Sequence, residues 1–386
     1  MSELSSNAIP RHLNSLIILA RKLDPGGAER QLVALACGLK QRGRDVHVVL
    51  FYAGGVFDAE LADAGVPVHF LGKRGRWDVP GFLFRLAATL RRLRPGVIYS
   101  FLDLPNILAV LLRGTAERPR LIWSIRAAGM EMRHYDWLSR AVPWLEARYA
   151  GNADAVIANS HAGAAWAAKR GFPAERLTVV ENGIATQRFR PDAVARAKIR
   201  AEWGVAESER LIGLVGRLDP MKDHPNFLNA CAALVASGNH LRFVCIGNGS
   251  AAYRAELAAL AESIGIAQRI IWAGARPDMP EVYSALDVAC SASAFGEGFS
   301  NVMGEAMSCG VPCVVTDVGD SARIVGELGE VAPPRDAGAL AKAMSRMLVR
   351  IEQEPDIGRR TRERIEAEFS LDSMVVRTEQ ILFRKP

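Results

Sequence analysis

The sequence predicts an α/β protein made of two Rossmann-like, doubly wound domains. Short apolar runs, which are typical of buried parallel strands, alternate with longer amphipathic segments that indicate helices. The same alternation starts again after a charged helical stretch at residues 191–209, which we interpret as a domain junction. A chain of 386 residues is also long for one hydrophobic core. We therefore place one domain at residues 1–185, a second at 186–365 and a terminal helix at 366–386.

The composition is that of an ordinary soluble globular protein, with 49% hydrophobic and 23% charged residues. No apolar run reaches the roughly 20 residues that a membrane-spanning helix needs. The N-terminal residues lack the apolar core of a signal peptide, so we expect a cytosolic protein. The 6 cysteines are scattered without a C-x2-C pair, which favours buried free thiols over a zinc site or a disulfide framework.

The formal net charge of +6 comes entirely from the first half of the chain. Residues 1–185 contain 24 Lys and Arg against 16 Asp and Glu, whereas residues 186–386 contain 24 against 26. We therefore expect the first half to have an anionic partner, which could be an acidic membrane surface, a phosphate-bearing substrate or a nucleic acid.

The first half contains seven candidate strands, with helical segments between most of them, at residues 13–20, 46–51, 66–72, 97–101, 120–125, 155–160 and 177–183. After the first strand, Gly26 and Gly27 form a strand-to-helix turn through which the backbone can approach a ligand closely. Glu29 and Arg30 open the helix that follows. Because a Gly-Gly turn is common, the pair alone does not define a binding site.

A basic, amphipathic segment lies between the third and fourth of these strands. The helix predicted at residues 81–94 has an apolar face and several arginines, and it follows a short basic stretch that ends in Trp77. Such a helix can lie on an anionic membrane, or it can face the core while its arginines are solvated. Residues 129–149 are a second candidate interface, because they also combine tryptophan with arginine. The basic and aromatic residues in question are Lys73, Arg74, Arg76, Trp77, Arg85, Arg91, Arg92, Arg94, Arg133, Trp137, Arg140, Trp144 and Arg148.

The second half repeats the pattern, with candidate strands at residues 211–216, 240–247, 269–274, 288–293 and 311–316. Helices are predicted after Lys222, near residues 251–263 and at 280–287, and the chain after Asp336 is predicted to be wholly helical. Each informative turn of this half follows a strand, which is where open α/β sheets bind ligands.

One such turn contains two glutamates, Glu297 and Glu305, in an E-x7-E spacing. The glycines around Glu297 place it in a loop, with Ser300 or Asn301 as the N-cap of a helix that ends at Gly310. The N-terminus of this helix would bind a phosphate, and the two carboxylates would hold hydroxyl groups on either side of it, a sugar on one side and a ribose on the other. The alternative is one solvated loop acid and one acid on a helix face.

Two further turns carry candidate groups. Arg217 and Lys222 follow a strand in an R-x4-K spacing and could neutralise a diphosphate, although exposed loop cations are usually just solvated. The segment IGNGS at residues 246–250 begins a G-x-G-x-x-A pattern, as in dinucleotide-binding proteins. The next strand ends without the acid that would hold a dinucleotide ribose, so a tight turn is the better interpretation.

Taken together, these residues resemble the family 4 retaining glycosyltransferases of the GT-B fold over nearly the whole chain. The resemblance rests on five ordered motifs: GGAER at residues 26–30, NGIATQRF at 182–189, GRLDPMKDHP at 216–225, IGNGS at 246–250 and EGFSNVMGEAMSCGVPCVVTDVGD at 297–320. It implies two Rossmann-like domains that face each other across a cleft, with the nucleotide-sugar mainly on the second and the acceptor mainly on the first. It also implies that the terminal helix crosses back to the N-terminal domain.

The resemblance also implies roles for individual residues. Arg217 and Lys222 would hold the diphosphate, Glu297 would bond the transferred sugar and Glu305 would hold the ribose. We predict Glu297, Arg217 and Lys222 as the catalytic groups. The donor-binding set is Gly27, Gly216, Arg217, Lys222, Arg276, Glu297, Gly298, Phe299, Ser300, Asn301, Val302 and Glu305, and the acceptor candidates are Arg126, Asp103 and Asn106, with residues 129–149 as a further possibility.

The resemblance implies a reaction without a metal or another cofactor, with the nucleotide-diphosphate sugar as co-substrate, and the chain contains no D-x-D sequence. Retention would follow from a front-face reaction in which the leaving phosphate takes the proton of the acceptor, so positioning and charge stabilisation would carry the rate. One position departs from the family, because many relatives have a histidine where Arg126 follows the strand at 120–125. A guanidinium is no base at neutral pH and more plausibly binds an acceptor phosphate or the donor. His134 and His161 are nearby in sequence but fall outside the motif.

We therefore expect a retaining hexosyltransferase that uses a UDP- or GDP-linked sugar and a lipid-linked or polysaccharide acceptor in cell-surface glycan biosynthesis. It would be cytoplasmic and peripheral at the anionic inner face of the plasma membrane. The alternatives are a sugar-nucleotide epimerase, a synthase with a soluble acceptor, or a catalytically silent module that binds a nucleotide-sugar or a nucleic acid. The intact set of Arg217, Lys222, Glu297 and Glu305 argues against a silent module, and no basic stripe with interleaved aromatics indicates a nucleic acid.

Overall fold

The computed structural model describes residues 14–75, 77–129, 137–236 and 241–384, and for residues 137–140 it describes the backbone only. The described chain divides into two compact units. The first unit contains residues 14–126, 137–183 and 371–384, and the second contains residues 127–129 and 184–370. Predictions that concerned Arg76, Arg133 and His134, and the side chains of Trp137 and Arg140, lie outside the described residues.

The first unit is built around a parallel sheet of seven strands. Its strands are β1 (Ser15–Ala20), β2 (Asp45–Leu50), β3 (Val68–Phe70), β4 (Val97–Phe101), β5 (Arg120–Ile125), β6 (Ala155–Ala158) and β7 (Leu177–Val179). Its first six helices are α1 (Gly27–Gln41), α2 (Asp58–Asp63), α3 (Val79–Leu93), α4 (Asp103–Leu112), α5 (Trp137–Tyr149) and α6 (His161–Lys169). The strand order is β3-β2-β1-β4-β5-β6-β7, so the chain winds in both directions from β1, as expected for a doubly wound fold.

The second unit repeats this arrangement with a parallel sheet of six strands. Its strands are β8 (Arg210–Val215), β9 (Leu241–Ile246), β10 (Ile270–Gly274), β11 (Val288–Ser291), β12 (Cys313–Thr316) and β13 (Glu330–Ala332). Its helices are α7 (Ala193–Glu202), α8 (His224–Val235), α9 (Ala251–Ser263), α10 (Met279–Ala285), α11 (Asn301–Ser308), α12 (Ser321–Val325), α13 (Ala337–Gln353) and α14 (Ile357–Glu368). The order β10-β9-β8-β11-β12-β13 reverses between β8 and β11. The predicted α/β class with two Rossmann-like sheets is confirmed.

The last helix, α15 (Leu371–Leu382), belongs to the first unit and packs on α1. Arg42 and Arg44 each bond the carboxylate of Glu379 through their Nε atoms, at 2.5 and 2.6 Å. The two ends of the stretch 184–370 of the second unit are bonded to each other. Ile184 N donates to Phe369 O at 2.8 Å. Residues 184–370 are therefore one continuous insertion between the strands and the last helix of the first unit.

Central strands of both sheets are buried on both faces, as parallel strands in doubly wound folds must be. In β1, Leu16 and Ile18 belong to one hydrophobic cluster, whereas Ile17 and Leu19 belong to the cluster on the opposite face. In β8, Ile212 and Leu214 likewise face one cluster and Leu211 faces the other. This burial explains why the strands were predictable from apolar runs alone.

The edge strand β13 was not predicted. It has three residues and pairs with β12, with Val314 opposite Glu330. A short edge strand with a glutamate shows neither a long apolar run nor an alternation, so its sequence carries no strand signal.

Within the described residues, no helix combines the length and apolar character that crossing a bilayer requires.

Candidate functional site

The residues of the second unit that were predicted to bind phosphate and sugar lie together at the point where the strand order of its sheet reverses. The loop after β8 carries Arg217 and Lys222, and the loop after β11 leads to Glu297. Because β8 and β11 are neighbours in the sheet, these two loops lie side by side, and Ala294 N donates to Met221 O at 2.8 Å. This reversal point is where open α/β sheets form a crevice for ligands.

The loop after β8 is fixed by two aspartates that cap short helical turns. The carboxylate of Asp219 accepts from Met221 N at 2.9 Å and caps the 3-10 turn Pro220–Lys222. Asp223 has a left-handed backbone with φ of 49°, and its carboxylate accepts from Asn226 N at 3.3 Å at the start of α8. Because of these caps, the side chain of Lys222 projects from a well-defined turn and not from an irregular loop.

Lys222 and Glu297 form an ion pair between the Nζ and Oε1 atoms. Glu297 is only 7% exposed, and its Oε1 also accepts from Ser293 Oγ at 2.7 Å. Burial by itself would raise the pKa of this carboxyl, but the Lys222 ammonium, the Ser293 hydroxyl and the Arg217 charge outweigh it and hold the pKa below its ordinary value. Glu297 is therefore a buried carboxylate that remains ionised at neutral pH.

Ser293 was missed in the sequence because nothing in its neighbourhood marks it as a partner of Glu297. It is 1% exposed, and its carbonyl accepts from Thr316 Oγ1 at 2.7 Å, which ties β11 to β12 beneath the site. A small hydroxyl residue just beyond the end of a buried strand is the only signal that could have indicated it.

Arg217 differs from Lys222 because its side chain is exposed. Among the described residues its guanidinium makes no hydrogen bond or ion pair, although its charge acts on Glu297. A cavity of about 460 Å³ adjoins it, and its lining comes from the segments after β8 and β9, including Tyr253 on α9. Arg217 is thus a cation at the mouth of the site, and Lys222 is one within it.

The glycine-rich loop before α11 adopts the predicted form. Ser300 is the N-cap of α11, but its side chain makes no capping bond, so the first backbone N–H groups of the helix are not satisfied by that residue. Asp320 N donates to Gly298 O at 3.0 Å and braces the loop from below. Gly319 has φ of 64°, and a Cβ there would lie 2.4 Å from the Glu297 carbonyl oxygen, so only glycine fits this contact.

The remaining predicted residues of this stretch are mostly buried. Phe299 packs edge-on against Phe369, with ring centroids 5.4 Å apart, and so anchors the loop in the core. Glu305 is 4% exposed and its Oε2 accepts from Tyr283 OH at 2.9 Å. Tyr283 lies on α10, and no motif around it indicates that its side chain reaches α11. The bond leaves Glu305 in a defined orientation one turn inside the helix.

The IGNGS segment, which was interpreted as a tight turn, packs closely against the loop after β8. A Cβ on Gly247 would lie 2.0 Å from the Gly216 carbonyl oxygen, and one on Gly249 would lie 2.4 Å from the Leu218 carbonyl oxygen. Both glycines therefore let the loop after β9 press against the loop that carries Arg217. Asn248 extends this bracing, because its Oδ1 accepts from Ala275 N at 3.0 Å.

Arg276, which was predicted to bind the donor, is held by two acids. Its Nε donates to Asp278 Oδ1 at 2.8 Å and its Nη2 donates to Glu202 Oε2 at 3.1 Å. These bonds, with Asp278 the larger cause, raise the pKa of the guanidinium further. The bonds stabilise the turn after β10, and a contact of Arg276 with the donor stays a prediction.

In the first unit, the equivalent reversal point lies between β1 and β4. Gly27 is the first residue of α1 there, and Gly26 is its N-cap without a side-chain bond. A cavity of about 330 Å³ lies at this point, and its lining combines charged and aromatic side chains: Ala20, Arg21, Lys22, Asp24, Ala28, Glu29, Leu32, Tyr52, Phe101 and Leu102. Lys22 and Asp24 form an ion pair of 2.7 Å at its rim.

Arg126 is bound on several sides within the first unit. Its guanidinium donates to Ser124 Oγ at 2.6 Å, to Asn182 Oδ1 at 2.9 Å and to Tyr99 OH at 3.0 Å. It also lies over the ring of Phe101, with the carbon of the guanidinium 4.6 Å from the ring centroid. Arg126 therefore joins β4, β5 and the chain after β7, and its predicted acceptor contact stays a prediction.

Asn106 and Asp103 lie in a buried polar network between α4 and α5. Asn106 is fully buried, accepts from Ser100 Oγ at 2.6 Å and donates to Glu146 Oε1 at 2.8 Å. Arg170 donates to the other oxygen of Glu146 at 2.9 Å. Burial first, and the Asp103 carboxyl second, raise the pKa of Glu146 to about 7, and burial also raises the pKa of Asp103. The network fixes α4 on α5, and an acceptor role for its members stays a prediction.

No group of three or more His, Cys, Asp or Glu side chains that could hold a metal ion occurs among the residues that the structure describes. The six cysteines are all free thiols, and five of them are buried. This agrees with the expectation of buried thiols rather than disulfides.

Two family models match the chain, one on each half. The model of Glycosyltransferase Family 4 matches residues 25–188, and the model of glycosyl transferases group 1 matches residues 209–350. Together with the two parallel sheets, these matches define the class: the chain belongs to the family 4-type glycosyltransferases of the GT-B fold.

Individual relatives agree with this assignment. The chain is 34% identical to D-inositol 3-phosphate glycosyltransferase of Nocardia farcinica over 156 residues, which are 39% of this chain and 34% of that protein. It is 27% identical over 220 residues to the GDP-mannose-dependent alpha-(1-6)-phosphatidylinositol monomannoside mannosyltransferase of Mycobacterium tuberculosis, which covers 54% of this chain and 56% of that one. The matched regions thus span between about one third and just over half of these curated relatives.

Among solved structures, HepE of Anabaena in complex with UDP and glucose has a TM-score of 0.83 to this chain. The two sequences are 23% identical, and the superposition covers 96% of this chain and 100% of HepE. At this level of identity, the likeness establishes the fold.

Proposed function

We propose that this protein is a glycosyltransferase that takes a hexose from a nucleoside-diphosphate sugar, linked to UDP or GDP, and transfers it in glycan biosynthesis. The observation that carries the proposal is the buried Lys222–Glu297 pair, with Arg217 beside it, at the reversal point of the second sheet. A buried carboxylate that is kept ionised is a strong acceptor for sugar hydroxyls. Two neighbouring cations supply the charge that a diphosphate needs.

In this proposal the nucleotide binds on the second unit. Arg217 and Lys222 neutralise the diphosphate, and the first N–H groups of α11 add a partial positive charge. Glu305, oriented by Tyr283, accepts from the ribose hydroxyls. As the bond from the anomeric carbon to the phosphate oxygen breaks, negative charge grows on the leaving diphosphate, so the two cations stabilise the transition state more than the ground state.

We also propose transfer with retention and without a metal or other cofactor. The acceptor oxygen would bond the anomeric carbon on the face from which the diphosphate leaves, and its proton would pass to a phosphate oxygen. Such a reaction needs no pair of flanking carboxylates. Lys222 and Arg217 support it, because they offer the diphosphate the positive charge that a divalent cation supplies in other enzymes.

For the acceptor, we propose a lipid-linked molecule or a growing glycan, met at an anionic membrane surface. The cavity at the reversal point of the first sheet combines Arg21, Lys22 and Glu29 with Tyr52 and Phe101, a mixture that suits hydroxyls or a phosphate beside a ring. The basic surplus of the first half favours an acidic acceptor or surface. The named activity of one relative, on phosphatidylinositol monomannoside, is consistent with such an acceptor, whereas the name of the other gives D-inositol 3-phosphate, which bears a phosphate but no lipid.

The first experiment is a thermal-shift series with UDP, GDP, ADP and NAD on the wild type and on Arg217→Ala. Selective binding raises the melting temperature by mass action, on the order of 5 to 10 °C at a hundredfold excess over Kd. We expect a shift with UDP or GDP that Arg217→Ala reduces. Arg359→Ala removes an exposed arginine of α14 outside the site and should keep the shift.

Turnover then separates a transferase from a silent binding module. With the nucleotide named by the first experiment, release of that nucleotide from its sugar conjugates is measured for the wild type, Glu297→Ala and Lys222→Ala, with circular dichroism as a check of folding. The proposal requires loss of turnover in both variants. Full activity of both, or a thermal shift with NAD alone, would overturn it. An epimerase would release a new sugar nucleotide instead of the free nucleoside diphosphate.

A further inference from the structure

The first unit carries an unusual concentration of exposed apolar side chains. Of the ten large hydrophobic residues that are exposed in the described chain, Phe70, Trp77, Val79 and Phe84 lie within fifteen positions of each other. Trp77 is 87% exposed and Phe84 is 71% exposed. Single exposed apolar residues are normal, but several of them in one short segment that is also basic make that segment a candidate interaction surface.

Phe84 does not belong to the face of α3 that packs into the core. Phe82, Leu86 and Leu90 form the buried face of α3 and pack into the core of the first unit. Phe84 lies on the opposite side of the helix and is followed along that side by Ala88 and Arg91. The helix therefore buries one apolar face and exposes Phe84 on the opposite side, in its N-terminal half.

The same segment is strongly basic. Between Lys73 and Arg94 the sequence has seven basic residues and one acidic residue, Asp78. Arg85 neutralises that aspartate and also donates to Leu71 O at 2.6 Å, which ties α3 to the loop after β3. Within the described chain no carboxylate pairs with the guanidinium of Arg74, Arg91 or Arg92.

We infer that Arg74, Trp77, Phe84, Arg91 and Arg92, which we call the basic aromatic face, dock the first unit on an anionic lipid bilayer. Charge complementarity favours this partner, because each basic residue gains about 1 kcal/mol near a negatively charged leaflet. An indole and a phenyl ring beside guanidinium groups match the boundary between headgroups and acyl chains. A second copy of the chain is a poor partner, since the contact would bring arginines against arginines.

This inference rests on the proposed function only in its choice of a membrane as the place of action. It assigns the surface that meets the membrane, and it can be tested without any transfer reaction. Vesicle binding and the thermal shift with nucleotide are measured on the same preparations, so a failure of one is distinguishable from a failure of the other.

The test is co-flotation of the full chain with vesicles of phosphatidylcholine alone or mixed with phosphatidylglycerol, at low ionic strength. We expect binding to the mixed vesicles only, and weaker binding as salt shortens the range of the attraction. Arg91→Gln/Arg92→Gln should bind about thirtyfold more weakly. Trp77→Ala/Phe84→Ala should bind at least about tenfold more weakly, because the variant loses the apolar part of the contact.

Two control variants make the result specific to the basic aromatic face. Arg359→Gln/Arg360→Gln on α14 changes the net charge by the same amount, and Val194→Ala removes an exposed apolar side chain of α7, which is 81% exposed. Both should bind like the wild type. Absence of binding by the wild type, equal losses in the control variants, or association of the protein with itself at the α3 surface would each overturn the inference.

Discussion

Lys222 and Glu297 are paired although 75 positions separate them in the sequence. The pair exists because the reversal of strand order places β8 next to β11, so the loops that follow these strands share one edge of the sheet. The Lys222 ammonium and the Ser293 hydroxyl satisfy the same carboxylate oxygen. The site is thus a product of topology, and each of its members can be tested by removing one partner at a time.

Removal of one charge of the pair should destabilise the protein more than removal of both. Lys222→Met leaves the Glu297 carboxylate buried without its cation, and we expect a loss of about 2 to 4 kcal/mol in the free energy of unfolding at neutral pH. Lys222→Met/Glu297→Gln leaves no buried charge at this point and should recover most of that loss. Urea unfolding of the wild type, Lys222→Met, Glu297→Gln and the double variant completes a double-mutant cycle. Losses in the two single variants that add up to the loss in the double variant would show that the two residues are not coupled.

Ser293→Ala should slow turnover without removing nucleotide binding. The substitution deletes a hydrogen bond to a charged group, which is worth about 1.5 to 3 kcal/mol, and leaves Glu297 less firmly oriented toward the sugar. We expect turnover to fall about tenfold or more, whereas the thermal shift with nucleotide persists. Ser291→Ala is the matched control, because the Ser291 hydroxyl lies 3.4 Å from Ser293 Oγ and makes no bond to Glu297. Equal effects of both substitutions would contradict the role of Ser293.

Tyr283→Phe tests the orientation of Glu305. The variant keeps the buried ring but loses the hydroxyl that donates to Glu305 at 2.9 Å. If Glu305 holds the ribose, the Kd for the nucleoside diphosphate should rise about fivefold to thirtyfold, corresponding to the loss of about 1 to 2 kcal/mol. Isothermal titration measures this change. Thr361→Val removes a buried hydroxyl of α14 that donates to Gly358 O and should leave the Kd unchanged; an unchanged Kd in Tyr283→Phe would argue against the ribose assignment.

Gly319→Ala should damage the site beyond its effect on the backbone. Gly319 and Gly265 both have positive φ, 64° and 75°, but only Gly319 has a neighbour that a Cβ would meet, the carbonyl oxygen of Glu297 at 2.4 Å. Gly265→Ala should therefore lose about 1 kcal/mol of stability from backbone strain alone. Gly319→Ala should lose more and should also shift Glu297, so that turnover falls. Thermal unfolding and nucleotide release of the two variants, measured side by side, provide the comparison, and identical behaviour would refute it.

The buried Glu146 should give the stability a pH dependence with a defined sign. Its pKa is raised from 4.5 to about 7 in the folded protein, so the folded chain keeps a proton that the unfolded chain has already released. Stability should therefore fall as the pH rises from about 4.5 to 7, by up to about 3 kcal/mol. Urea unfolding at pH 5 and pH 8 should show this loss in the wild type, and Glu146→Gln should flatten it.

Glu297 provides the internal contrast to Glu146. Its pKa is lowered, so its contribution to stability is present at neutral pH and is lost only as the pH falls through the acidic range below its ordinary value. A wild type whose stability did not change between pH 5 and pH 8 would contradict the assignment for Glu146 without touching Glu297.

Most of the architecture could be predicted because the strands of both sheets show the same sequence pattern. Strands such as β1 and β8 are buried on both faces, and burial on both faces produces the apolar runs on which the prediction rested. The N-cap at Ser300 was predictable from the glycines before it and the helix after it. Only the short edge strand β13 lacks such a signal.

The site was predictable to the extent that its residues follow strands. Arg217, Lys222 and Glu297 lie in the loops that follow β8 and β11, and these loops are neighbours because the two strands are adjacent. Ser293 and Tyr283 could not be predicted as their partners, because each contact joins side chains whose proximity depends on the packing of loops and helices. Arg126 also follows a strand, but its guanidinium donates hydrogen bonds to Ser124, Asn182 and Tyr99. These three residues come from different parts of the first unit, so the contacts could not be predicted from the sequence.

The bond from Ile184 to Phe369 has a practical consequence for making the protein in pieces. Because residues 184–370 begin and end at neighbouring points of their own unit, a gene fragment for them should fold without an artificial linker, and the proposed nucleotide binding can be tested on it. A fragment that stops at Gly183 would instead lack α15, and would leave bare the side of α1 that Val375 covers at Gly38. Such a fragment is expected to precipitate, unless residues 371–384 are fused directly behind it.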